Sequence, residues 1–194
     1  MGLAVAAERR VGRAMFALAR LMAWGGGLLL CALALMTVVS ITGRRLDGLG
    51  LGPIPGDYEL VANGAAIAIF SFLPWCQLTR GHVSVDILTR RLPPRWNAAF
   101  GLLGDALIAV ASLAMLRQFW LGFAQKFPYG SDAQRAWLGM GYRPFFPETT
   151  YELQIPVWIL HLAAFGGLAL FCLVSLYTVW RGINWVLAGE EAAL

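Results

Sequence analysis

The sequence predicts an all-α integral membrane protein: four transmembrane helices in a single membrane domain over residues 1–194, both termini cytoplasmic, and an amphipathic interfacial helix between spans two and three. Three observations predict it. Hydrophobic residues make up 59% of the chain and charged residues 13%, about half the charged share of an ordinary soluble domain. The apolar residues gather in four runs near 21–41, 60–78, 98–123 and 156–180, each close to the roughly 20 residues that cross a bilayer. In lipid only helices or a closed barrel satisfy the backbone, and these runs lack the alternation of barrel strands.

The third observation is where the basic residues fall, since cytoplasmic segments retain them. Arg9, Arg10, Arg13 and Arg20 precede span one, Arg80, Arg90, Arg91 and Arg95 lie between spans two and three, and Arg181 follows span four. The other side holds Arg44, Arg45, Lys126, Arg135 and Arg143. The excess on the first side predicts cytoplasmic termini. It also accounts for the net charge of +4 by topology; nucleic-acid binding would need a basic soluble face.

Span one follows a basic tail, as a secretory signal would, and Ala32-Leu33-Ala34 resembles a cleavage site. The apolar run continues past it and is too long for a signal core, so an uncleaved span is expected. Gly25, Gly26 and Gly27 weaken the helix but permit close backbone approach to a neighbour. The first loop, Thr42 to Glu59, is rich in glycine and proline and reads as turns. Asp57 and Glu59 then open span two, where carboxylates complement the helix dipole; a contact to a partner is the other role open to them. Ala62, Gly64, Ala65, Ala66, Ala68 and Ser71 favour close packing, and Pro74 is expected to bend the helix near its cytoplasmic end.

Between spans two and three, His82, Asp86 and Arg90 recur every fourth residue and stack on one helical face, with Val85, Leu88 and Leu92 on another. Such a helix lies in the headgroup layer with its arginines towards anionic lipid, and Pro93-Pro94 stops it. Asp86 would favour the charged form of His82, unless His82 is simply solvated on the polar face. Trp96 marks the return to the bilayer. Span three carries Asp105 and Arg117, twelve residues or about 18 Å apart along a helix, which is too far for a pair. Arg117 can snorkel. Asp105 is deeper, where an ionisable group serves either a polar contact with a neighbouring helix or ion or proton movement. The third loop, Ala124 to Ile155, mixes aromatics with prolines and is expected to fold over the helix ends or to offer an aromatic surface to another protein. Span four carries Gly166-Gly167 and ends at the interfacial pair Trp180-Arg181.

Chemistry is sparse. No phosphate loop, catalytic carboxylate pair or activated nucleophile is legible, so the chain is not expected to be an enzyme. Cys31, Cys76 and Cys172 have no metal or redox spacing and read as small buried hydrophobes. A redox-enzyme membrane anchor would hold haem between two histidines at similar depth. His82 and His161 fall on opposite sides of the bilayer in this topology, so no cofactor or metal is expected.

Arg80-Gly81-His82-Val83-x-Val85-Asp86, closing span two and followed by Leu92-Pro93, resembles the signature of the DctQ family, the small membrane subunit of tripartite ATP-independent periplasmic (TRAP) transporters. The likeness extends to the four spans, the Thr42-Gly43-Arg44-Arg45 exit from span one, the Asp57/Glu59 start of span two and Pro156 at span four. The resemblance implies a bacterial inner-membrane protein paired with a large DctM-type permease subunit. A periplasmic binding protein would deliver an organic acid to that subunit for sodium-driven uptake, with this chain as its brace. It also marks Arg80, Gly81, His82, Asp86 and Arg90 as assembly residues. Two alternatives stay open: a membrane-anchor subunit of a redox enzyme complex, and a self-sufficient small transporter or channel.

Overall fold

The structure, a computed structural model, describes residues 5–81 and 93–188. The expected interfacial helix, with His82, Asp86 and Arg90, lies outside the described residues. The described chain is helical: α1 (Val5–Arg45), a 3-10 turn (Asp47–Leu49), α2 (Asp57–Leu78), α3 (Pro94–Lys126), the short α4 (Asp132–Trp137) and α5 (Val157–Ala188). The extended backbone pairs in one place among the described residues, between Thr149 and Pro156. Four helices are long and apolar enough to cross a membrane.

The helices outrun the apolar runs that announce them. Residues 5–20, expected as a tail, are the first turns of α1, whose 41 residues reach about 60 Å, twice the hydrocarbon thickness. Nothing between Val5 and Arg20 breaks a helix: the stretch contains no proline and is rich in alanine and arginine, both strong helix formers. Likewise α5 continues to Ala188, so Arg181 is a helical and buried residue where a cytoplasmic tail was expected. Only α2, with 22 residues, matches the bilayer at about 33 Å. Contacts at the end of α2 show where its partners overhang. Ala19 of α1 packs in one cluster with Leu78, Asp105 of α3 meets Gln77, and Arg181 of α5 reaches the Leu78 carbonyl. Three helices therefore project beyond Leu78 at the end of the bundle that holds both termini.

Lateral order follows the small residues. α2 packs between α1 and α5, and α5 between α2 and α3. At the α1–α2 crossing, a Cβ on Gly26 would lie 3.1 Å from Ser71 Cβ and 3.2 Å from the Ala68 carbonyl oxygen, whereas Gly25 and Gly27 face open space. One glycine of the triplet therefore makes the contact. At the α2–α5 crossing, a Cβ on Gly167 would lie 2.6 Å from the Phe70 carbonyl oxygen, and Gly166 faces open space. Pro74 is accommodated inside α2 and buried.

Large apolar side chains face outward along α1 (Leu21, Trp24, Leu28, Leu35) and α3 (Leu103, Leu107, Val110). Between 11% and 33% of the most apolar window of each long helix is buried. A water-soluble bundle would hide these faces, so their solvent is lipid.

At the opposite, loop end, polar residues tie the connections together. Asp57 Oδ2 accepts from Ser40 Oγ at 2.5 Å and from Arg44 Nη2 at 3.2 Å. Ser40 Oγ in turn accepts from the Ile54 amide at 3.1 Å. Glu59 accepts from the amides of Glu152 and Leu153 at 2.8 and 3.2 Å, and the Gly56 amide donates to the Glu152 carboxylate. The two carboxylates occupy the first turn of α2, as the dipole argument requires, and they also fasten α1 and the third loop to it. The third loop carries α4, closed by a Ser131/Gln134 capping box. Trp120 Nε1 of α3 donates to the Leu138 carbonyl at 3.0 Å.

Candidate polar site at the termini end of the bundle

α2 ends in a Schellman motif: the Gly81 amide donates to the Cys76 carbonyl at 2.8 Å and the Arg80 amide to the Gln77 carbonyl at 3.3 Å. The left-handed position usually given to glycine is occupied by Arg80, with φ 51°, and glycine comes one residue later. A non-glycine residue there is strained by about 1 kcal/mol or more. What offsets the strain is where the guanidinium lands. Arg80 Nη2 lies 3.6 Å from Asp105 Oδ2, and Arg80 Cζ stands 4.8 Å from the Trp185 ring centroid.

Asp105 is the hub. Its residue is 6% exposed, and its Oδ1 accepts from Gln77 Nε2 at 3.1 Å. The same Gln77 amide donates to Thr178 Oγ1 at 2.9 Å. Arg181, 1% exposed, lies one turn beyond Thr178. Its Cζ stands 4.7 Å from the Trp185 ring centroid and 5.8 Å from that of Tyr177, an arrangement that stabilises a desolvated guanidinium. Arg181 Nε is buried without a hydrogen-bond partner among the described residues. On the α1 side, Asn184 Nδ2 donates to Glu8 Oε2 at 2.5 Å. All four long helices thus contribute polar groups to one layer.

This layer joins side chains of all four long helices. A carboxylate is held by an amide and a guanidinium from a neighbouring helix, and both arginines share one indole ring. No group of three or more histidine, cysteine or acidic side chains is placed to hold a metal ion among the described residues. Asp105 lies at the level where α2 ends, beside Gln77, eleven residues after the start of α3. Arg117 is exposed, a dozen residues further along α3. His161 lies one turn into α5 at the loop end, its ring 5.3 Å from that of Phe119. The Arg80-Gly81 pair, which immediately precedes His82, is at the other end of the bundle.

Glu8, Gln77, Thr178, Asn184 and Trp185 belong to the layer without being among the site residues that the sequence predicts, and Arg181 there reads as an interfacial anchor. A signal was present: Thr178, Arg181 and Trp185 are spaced i, i+3, i+7, one polar stripe on an otherwise apolar helix.

Four apolar helices sealed at one end by a buried ionic layer define a multi-pass α-helical membrane protein. The family model described as tripartite ATP-independent periplasmic transporters, DctQ component, matches residues 33–184. The chain belongs to that family, a transporter component. Among curated proteins and solved structures, none matches the chain.

Proposed function

We propose that this chain is the small permease subunit that braces a large DctM-type subunit in the bacterial inner membrane. The large subunit would carry out sodium-driven uptake of an organic acid delivered by a periplasmic binding protein. The observation that carries the reading is the disposition of charge. The carboxylate of Asp105 is bound into the layer with Gln77 and Arg80, and the helix crossings above it are made by Gly26, Ser71, Gly167 and apolar side chains. A transport path needs polar groups distributed across the bilayer. A frame needs rigid helices with apolar outer faces, and α1 and α3 supply them.

In this reading both termini are cytoplasmic, and the ionic layer stiffens the frame at the cytoplasmic end. There His82, Asp86 and Arg90 would continue from Arg80-Gly81 as the polar face of an interfacial helix in register with the partner. Affinity purification of a tagged chain from its native membrane tests the assignment: a larger multi-spanning protein is expected in stoichiometric amount, and recovery of the chain alone would contradict it.

A further inference from the structure

We propose that residues 131–142, the short helix α4 and the turn after it, lie in the lipid of the leaflet at the loop end of the bundle. Trp137, Leu138 and Tyr142 would contact lipid and not water. The inference rests on the membrane-spanning class alone and is independent of the brace assignment.

The first observation is depth. α4 folds back along α3 instead of standing above it: Trp120 Nε1 donates to the Leu138 carbonyl at 3.0 Å, and Arg135 Nη2 donates to the Ala124 carbonyl at 2.7 Å. Trp120 precedes the end of α3 at Lys126 by six residues, about 9 Å at 1.5 Å per residue. From Asp105, level with the end of α2, to Lys126 is 21 residues, about 31 Å or one hydrocarbon thickness. The Trp137-Leu138 turn is therefore packed against α3 within the zone lipid occupies.

The second observation is Arg135. It is 1% exposed, and its guanidinium donates to the carbonyls of Ala124, Phe127, Tyr129, Met140, Gly141 and Tyr142 at 2.7–3.4 Å. In a loop that stands in water, the solvent would satisfy those donors. A cation carried to lipid depth must have every N–H paired within the protein, and the carbonyls it gathers are those that an irregular segment would otherwise present to lipid.

The third is what remains outside. Trp137 is 85% exposed and Tyr142 99%, with Leu138 between them. Tryptophan and tyrosine are the residues favoured at the membrane–water boundary. The exposed charges of the segment and its edge are Asp132 and Arg143, at its two ends, where headgroups and water can reach them. Lipid also fits better than a partner that docks and leaves, because side chains this exposed would stand in water between encounters.

Spin labels report the answer. Cys31, Cys76 and Cys172 are replaced, and W137C, Y142C and, as an aqueous control, G48C are labelled separately in the full chain. The chain, with whatever subunit co-purifies, is reconstituted into vesicles of phosphatidylethanolamine and phosphatidylglycerol. Power saturation with oxygen, which concentrates in acyl chains, and with a water-soluble nickel chelate is expected to show high oxygen access with loss of nickel access at 137, a smaller shift in the same direction at 142, and the reverse at 48. Nickel access at 137 equal to that at 48 would overturn the proposal by placing the segment in water. Low access to both reagents would overturn it in favour of a protein contact.

Discussion

Asp105→Ala is expected to destabilise the bundle more than any other single truncation in the ionic layer. Asp105 is 6% exposed, and its carboxylate answers Arg80 at 3.6 Å and Gln77 at 3.1 Å. Removing one partner of a buried pair costs about 3–5 kcal/mol, mainly because the remaining charge is left uncompensated. Arg80 has a side chain 36% exposed and can be partly rehydrated, which points to the lower end, about 3 kcal/mol. For a chain of this size each kcal/mol moves the midpoint by about 2–4 °C, so a fall of about 6–12 °C is expected. The assay is thermal unfolding in detergent, followed by the loss of the monodisperse peak on size exclusion. Asp105→Asn, which keeps the shape and an acceptor for Gln77, is expected to fall between Ala and wild type. A double-mutant cycle with Arg80→Gln should return a coupling between about 0.6 and 1.7 kcal/mol, the mean and upper end that such cycles give for interhelical polar contacts in a membrane protein. A midpoint for Asp105→Ala within about 1 °C of wild type would refute the argument, because it would mean the carboxylate compensates nothing.

The helix crossings make a paired prediction: Gly167→Ala, whose Cβ would lie 2.6 Å from the Phe70 carbonyl oxygen, should cost about 1–3 kcal/mol by overpacking. Gly166→Ala, with nothing within 4 Å, should leave the same unfolding midpoint unchanged or raise it slightly, since alanine is the better helix former. For topology, single cysteines in Gly48 to Asp57 or Arg143 to Thr149, outside the segment assigned to lipid, should be accessible from outside intact spheroplasts. Cysteines in the tails or in Arg80 to Arg95 should be shielded from a membrane-impermeant thiol reagent, and labelling of the latter would reverse the orientation. Asp86→Ala should lower the amount of assembled complex while leaving the half-saturation concentration of whatever assembles near wild type; a raised constant with normal assembly would place His82, Asp86 and Arg90 on the transport path.

The fold was largely legible because hydropathy and helix geometry agree: the four runs correspond to α1, α2, α3 and α5. Their ends were not, for a physical reason. Hydropathy marks where a helix meets lipid, whereas a helix stops only at a breaker or a cap, so α1 extends back to Val5 and α5 forward to Ala188. Asp105 was recognisable as an ionisable group that needs a partner. Its depth was not, because that depends on where α2 ends relative to α3, a relation between helices that a linear pattern does not carry. Arg135 illustrates the limit more sharply. An arginine in a loop reads as a solvated charge, and nothing in the letters around it announces six carbonyls converging on one guanidinium. The Arg80-Gly81 motif lies between these cases. Its residues mark the family, and only the positive φ of Arg80 shows why the arginine precedes the glycine.

The most direct test of the brace assignment is uptake of radiolabelled organic acid into liposomes under an imposed sodium gradient, in the presence of the cognate binding protein. Vesicles containing this chain alone, the large subunit alone and the two together are compared. The account predicts uptake only from the pair, and none from this chain by itself at any protein density. Sodium-dependent uptake by this chain alone would contradict it.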